Sequence, residues 1–297
     1  MNRKPLRANG STGQRVHANN LLTAVVADSD GRIFDLPGYA AVGMAGEDLA
    51  PLSKEQTIGV PFGSELMYLP DRLPVLLSLA SGDLEEVSEN PHSPGEPIFP
   101  VAVFNSPGHV ITRVSAYRER SRARSLPLFS YGAVGWQRGK FRSAAEVVDR
   151  EPRQDLRRMP LAKVRAGVRA LRKHLPENRL RLHLETCALT NGCPAGKNFF
   201  LGRYEAPLPT AVTCNARCLG CLSLQTGSGI SCTQERIAFV PSAEEIAEVA
   251  LFHIGRVKRA VVSFGQGCEG EPLSSARVIE PAIRLIRSKT GRGTINL

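Results

Sequence analysis

No stretch of this 297-residue chain approaches the roughly 18 consecutive apolar residues that a bilayer-spanning helix needs. The longest apolar-leaning run, Leu73 to Ala80, is far too short, which argues against a transmembrane segment. The N-terminus lacks an apolar core. Met-Asn-Arg-Lys-Pro-Leu-Arg-Ala-Asn-Gly is basic but offers no h-region, so a secretory signal is not indicated. Acidic residues are missing before Asp28, as in transit peptides, but an amphipathic period is missing too, and we read residues 1–20 as a disordered basic tail. An even set of cysteines is also absent. Seven cysteines with tight local spacing suit metal ligation in a reducing compartment, hence a cytoplasmic protein, better than a disulfide framework. No nucleophile elbow, Walker loop, zinc-protease helix, RNP, KH or zinc-finger pattern occurs, and no internal repeat.

What is present is ordinary in bulk. At 42% hydrophobic and 22% charged, the composition is that of a globular protein long enough for two domains. The net charge is +10, with basic residues clustered from Arg113 to Arg124 and from Arg153 to Lys173. Such clusters could neutralise RNA phosphates, or form a solvated basic face. Without a nucleic-acid motif we adopt the second and keep RNA as an alternative.

Residues 21–150 read as a β-rich domain whose role the sequence leaves open. Leu21 to Ala27 is apolar, Asp30-Gly31 is a turn signal, and Arg32 to Leu36 is the expected hairpin partner. Further strands are expected at Ile98 to Asn105 and Val110 to Tyr117, joined through Pro107-Gly108, and at Leu128 to Trp136 and Phe141 to Val148. Glu89 to Pro100, with four prolines, is a loop. Residues 151–206 read as a helix and a cysteine-containing linker. Leu161, Val164, Val168, Leu171 and Leu175 form one helical stripe that ends at Pro176, and Leu180 to Glu185 is expected as a short strand. From 207 the pattern alternates strand and helix: a strand at Pro209 to Thr213, and a helix opened by a capping box of Ser242 and Glu245. A strand at Ala260 to Phe264, a helix over Ser275 to Lys289 and a strand at Thr294 to Leu297 follow.

The chemistry concentrates after the first and second of these strands. Cys214, Cys218 and Cys221 stand as C-x3-C-x2-C, a spacing that random placement of seven cysteines produces about 0.4% of the time. Three thiolates can hold three irons of a cubane cluster and leave the fourth iron open, where electron-transfer clusters use four cysteines. The second element is Gly265-Gln-Gly-Cys-Glu-Gly-Glu-Pro272. Its glycines let backbone approach a ligand closely, and its carboxylates could accept from an ammonium group.

These two motifs, in this order, resemble the radical S-adenosylmethionine (radical SAM) superfamily over residues 207–297. The resemblance implies an α/β fold, with the N-terminal β-rich region followed by the first half of a radical SAM partial (β/α)6 barrel, a partial TIM barrel. It implies a [4Fe–4S] cluster on Cys214, Cys218 and Cys221, and S-adenosyl-L-methionine bound with Gly265, Gly267, Glu269, Gly270, Glu271 and Pro272. The implied activity is reductive cleavage of S-adenosylmethionine to a 5′-deoxyadenosyl radical that abstracts hydrogen from a substrate (peptide, RNA or small molecule), with flavodoxin or ferredoxin as electron donor. One departure stands out: the aromatic residue usual before the third cysteine is replaced by Gly220. Only three strands of the implied six precede Leu297, so the sequence is expected to be a C-terminally incomplete fragment that cleaves S-adenosylmethionine poorly.

The other cysteines carry weaker signals. Cys187 and Cys193 could ligate an auxiliary metal but are expected as buried or free thiols, since C-x5-C is no standard spacing. Cys232 lies in a Gly/Ser-rich loop, and Cys268, inside the glycine element, is expected to fill tight space. His183 and His253 are expected to pack. The alternative from a different class is a non-enzymatic zinc or Fe–S module of a basic RNA-binding protein, with zinc on Cys214, Cys218, Cys221 and a fourth thiol such as Cys232.

Overall fold

A computed structural model describes residues 20–227 and 229–297, so the tail expected at 1–20 lies almost wholly outside the described residues. The chain divides into two compact units, Met1–Glu151 and Pro152–Leu297.

The first unit is built from β1 (Thr23–Ala27), β2 (Ile33–Ala40), β3 (Val42–Ala45), β4 (Asp48–Pro51), β5 (Ile58–Gly59), β6 (Glu65–Tyr68), β7 (Arg72–Ser78) and β8 (Leu84–Glu86). It continues with β9 (Phe99–Phe104), β10 (His109–Ile111), β11 (Val114–Ser115), β12 (Tyr117–Glu119), β13 (Gly132–Gln137), β14 (Lys140–Ser143) and β15 (Ala145–Val147). Thirteen of these form one antiparallel sheet whose main path, β12-β7-β2-β1-β9-β13-β11-β3-β4, curls into a half-barrel. The continuous apolar run of β1 is explained by burial on both faces. Ala24 and Val26 pack with Leu36, Leu76 and Ile98, while Val25 and Ala27 pack with Val101, Val103 and Val134. The β1–β2 hairpin closes as the Asp-Gly signal implies. The Asp28 carboxylate accepts from the amides of Asp30 and Arg32 at 2.9 Å each, and Gly31 takes a positive φ of 79°. Val110 to Tyr117 differs from expectation. It is divided among β10, β11 and β12, which pair respectively with β15, with β3 and β13, and with β7.

The second unit holds α1 (Leu161–His174), α2 (Arg179–Leu189), α3 (Pro194–Phe200), β16 (Glu205–Pro207), α4 (Ala243–Arg256), β17 (Val261–Ser263), α5 (Ala276–Lys289) and β18 (Thr294–Asn296). β16, β17 and β18 form a parallel sheet with β17 in the middle. One core joins Val164, Val168 and Leu171 of α1, Leu180 and Leu184 of α2, Ile246 and Ile254 of α4, Val262 of β17 and Ile286 of α5. The residues read as a linker therefore supply part of this core.

Three sequence expectations are corrected here. Leu180 to Glu185 is not a strand but the first half of α2. Its alternating leucines imitate a two-residue period, yet Leu180, Leu184 and Ala188 are buried at helical spacing while Leu182 is 49% exposed. The Asn178 side chain caps the helix by accepting from the Arg181 amide at 2.9 Å. Pro209 to Thr213 is not a strand either; the strand lies earlier, at Glu205–Pro207. The largest correction is the fold class. Fifteen of the eighteen strands pair antiparallel, and among the described residues no partial (β/α)6 TIM barrel is evident. Among the described residues, strand–helix alternation is confined to three parallel strands of three residues each.

Candidate functional site

The loops leaving the C-terminal ends of β16 and β17 are laced together, and this lacing explains why residues 208–213 form no strand. Glu269, 4% exposed, turns its carboxylate into the crossing. One oxygen accepts from the amides of Thr210 (2.7 Å) and Ala211 (2.9 Å), the other from Gly265 and Gln266 (2.7 Å each). Four backbone donors that would otherwise lie unpaired are satisfied by one side chain. Backbone completes the seam: the Gly270 amide donates to Ala211 O at 2.6 Å and the Glu271 amide to Thr213 O at 3.0 Å. At Gly270 a Cβ would collide with the Thr213 carbonyl, so only glycine permits this approach. Gly265 takes a φ of +80° where the loop leaves β17. A Cβ on Gly267 would press on Gln234 and Leu222. Glu271 caps the short 3-10 turn Pro272–Ser275, its side chain accepting from the Leu273 amide at 3.3 Å.

Immediately beyond this seam comes the cysteine loop. Cys214 and Cys218 are exposed and Cys221 is half-buried. The loop is held by Gln225, whose amide donates to the Leu219 and Cys221 carbonyls at 2.9 and 3.0 Å. Arg236 lies against its inner side, 3.5 Å from Cys221 Sγ, while also donating to Ser223 Oγ at 3.2 Å and Val212 O at 3.3 Å. Burial pushes the Cys221 thiol up. Hydrogen bonds from the Ser223 and Leu224 amides and the Ser223 hydroxyl, with the Arg236 charge, outweigh it, so the pKa is lowered overall. At the position where an aromatic was missed, Gly220 has open space around its Cα and Leu219 is 94% exposed.

A second group lies in the same unit. His183 and Cys187 sit four residues apart on α2, and Cys268 reaches them from the glycine-rich loop. Among the described residues this is the group of three metal-capable side chains whose ligand atoms all lie within 4.8 Å of one another. His183 Nε2 is 3.4 Å from Cys187 Sγ and 3.5 Å from Cys268 Sγ. Both thiols are buried. His183 and Cys187 also line a cavity of about 880 Å³, together with Arg179, Cys232, Arg236 and Phe239. The alternating leucines of residues 180–185 suggest a strand and so hide this group in the sequence; on a helix, His183 and Cys187 share a face. Cys193 stays outside the group, its thiol pushed up by burial. His253 packs in the core of the unit, its Nε2 3.1 Å from Tyr204 O, and burial lowers its pKa.

The donor sets can be tested against the implied groups. A cubane binds each thiolate to a different iron, so its ligands need not converge on one point, and an accessible loop of three cysteines around it is compatible with such a cluster. A single tetrahedral zinc, with bonds of about 2.3 Å to sulfur, would need its sulfurs about 3.8 Å apart. Cys214, Cys218, Cys221 and Cys232 are not gathered in that way among the described residues. Compared with models of known families, with curated proteins and with solved structures, the chain matches none.

Proposed function

We propose that this protein is a radical SAM enzyme, with Cys214, Cys218 and Cys221 as ligands of a [4Fe–4S] cluster and the loop Gly265 to Pro272 beside the S-adenosylmethionine. The single observation that carries the reading is the seam between the two motifs. Residues far apart in sequence are held edge to edge by the Gly270 and Glu271 amides and by the Glu269 carboxylate. When bound, the cluster and S-adenosylmethionine would supply reductive cleavage of the sulfonium and hydrogen abstraction from a substrate.

The chain's own residues divide the remaining work. Glu269 is saturated by four amides, so it positions the loop, while Glu271 caps the following turn through one oxygen and has its other oxygen to meet an ammonium. Arg236 favours the thiolate form of Cys221, the form that ligates. Cytoplasmic location and a flavodoxin or ferredoxin donor belong to the same proposal; in the structure, no described helix is long and apolar enough to cross a membrane. The zinc alternative at this loop is the weaker reading because its four thiols do not converge.

The test is anaerobic reconstitution with iron and sulfide. A brown protein absorbing near ~400 nm is expected, with the colour lost in Cys214→Ala, Cys218→Ala and Cys221→Ala. After dithionite reduction, S-adenosylmethionine should alter the paramagnetic resonance signal of the cluster. A protein that stays colourless rejects the cluster, and a signal indifferent to S-adenosylmethionine rejects the cofactor.

A further inference from the structure

We propose that His183, Cys187 and Cys268 hold one zinc-class divalent ion, with its fourth position open to the cavity beside α2. The argument is geometric. Zinc bonds of about 2.3 Å to sulfur and about 2.0–2.1 Å to nitrogen, at a tetrahedral angle, set the nitrogen about 3.5 Å from each sulfur. His183 Nε2 stands 3.4 Å and 3.5 Å from the two sulfurs. All three ligand atoms fall within 4.8 Å of one another, which leaves room for the sulfur–sulfur separation of about 3.8 Å that the same bonds require.

The elements that carry these ligands are rigid. His183 and Cys187 are one helical turn apart on α2, whose Leu180, Leu184 and Ala188 are locked in the core. Cys268 precedes Glu269, the best-anchored residue of its loop, and its own carbonyl accepts from the Ile237 amide at 2.8 Å. Preorganisation of this kind distinguishes a ligand set from thiols that merely fill space.

Zinc would take both cysteines as thiolates and His183 as a neutral imidazole, so binding would release the thiol protons to solvent and leave two thiolates and a 2+ charge in balance. Three protein ligands with a fourth position facing a cavity is the arrangement of a catalytic rather than a purely structural zinc site. The cationic groups near that mouth are already engaged: Arg179 with Glu245, and Arg236 with Ser223 and Val212. Water from the cavity is the ligand the open position would take.

The inference does not depend on the cluster, and the experiment separates the two. The full chain carrying Cys214→Ala, Cys218→Ala and Cys221→Ala, stripped of metal under reducing anaerobic conditions, is titrated with Co²⁺ and then Zn²⁺, alongside the unaltered chain. About one Co²⁺ per chain is expected, with the visible bands of a tetrahedral site and near-ultraviolet thiolate charge transfer, both bleached by Zn²⁺. Adding Cys187→Ser or Cys268→Ser should lower the charge transfer by about half, and His183→Gln should weaken binding at least about tenfold. Cys232→Ser and Cys193→Ser should change neither. X-ray absorption on the cobalt-loaded parent, expected to show two sulfurs among four ligands, stands even if a single variant fails to fold. No cobalt uptake, an octahedral spectrum, or bands unchanged by Cys187→Ser and Cys268→Ser would overturn the proposal.

Discussion

Two side chains in the second unit behave differently from what their residue types suggest. Glu269, within a glycine-rich motif, invites the role of ligand-binding carboxylate, yet four backbone amides consume its acceptor capacity. Glu269→Ala should therefore act first on stability. Leaving these donors unpaired is expected to cost about 3 kcal/mol or more in urea unfolding of the second unit, and Glu269→Gln, which keeps one acceptor oxygen, should cost less. Equal, negligible losses for both would show that the seam does not depend on this carboxylate. Arg236 is the converse case, an unremarked arginine in sequence that lies on Cys221 in space. Arg236→Gln removes the positive charge while keeping donors, so the pH midpoint for alkylation of Cys221 should move upward. An unmoved midpoint would assign the lowered pKa to the Ser223 and Leu224 amides and the Ser223 hydroxyl.

At the scale of elements, α4 shows how much of a helix terminus its sequence contains. Ser242 Oγ accepts from the Glu245 amide at 3.2 Å and the Glu245 carboxylate accepts from the Ser242 amide at 2.8 Å, as the spacing implies. What the spacing omits is that Glu245 also pairs with Arg179 of α2 at 2.7 Å, joining two helices at their first turns. That pairing, foremost, holds the Glu245 carboxyl at about 2. Because the folded value lies below the unfolded value of about 4.3, the stabilisation is complete above about pH 4.3 and disappears as pH falls through 2. The stability difference between the unaltered protein and Glu245→Gln should accordingly shrink across that acid window and be level above it, in chemical denaturation at stepped pH. A difference that stays constant down to pH 2 would remove the ion pair from the account. α2 illustrates the opposite outcome: Leu180, Leu182 and Leu184 fit a strand as well as a helix, and burial of Leu180 and Leu184, with Leu182 exposed, decides between them.

For the whole molecule, the net charge is +10, an excess of cations that ion pairing leaves unchanged, so what matters is how the basic clusters are distributed between paired and free side chains. Within the first basic cluster Arg113 pairs with Asp48 at 2.8 Å, Arg118 with Glu86 at 3.2 Å and Arg124 with Asp71 at 3.3 Å. Within the second, Arg157 and Arg158 share Asp155, and Arg172 meets Glu185. These partners engage part of each cluster, whereas Arg120 and Arg122 of the first and Lys163, Arg165 and Arg169 of the second make no ion pair among the described residues, which leaves a dispersed basic face without a nucleic-acid motif. RNA is therefore expected to bind only in the non-specific range of ~10⁻⁴–10⁻⁶ M and to be released as salt rises from 50 to 200 mM, measured by anisotropy of a labelled single strand. Tight binding that survives 200 mM salt would return RNA to the list of specific partners.

Local pattern was sufficient for much of the chain. The β1–β2 turn at Asp30-Gly31, the α1 stripe, the α4 capping box and the strand–helix–strand order after residue 260 were legible, because each depends on neighbours within a few residues. The spacing of Cys214, Cys218 and Cys221 was legible for the same reason. The division of Val110 to Tyr117 among several partners, the thirteen-stranded sheet and the absence of a partial barrel among the described residues were not, since pairing is decided by chain segments distant in sequence. Nor could spacing reveal that Cys268 meets His183 and Cys187, or that Glu269 faces inward. Those contacts exist only because α2 packs beside the loop leaving β17, and packing joins residues that share no local pattern.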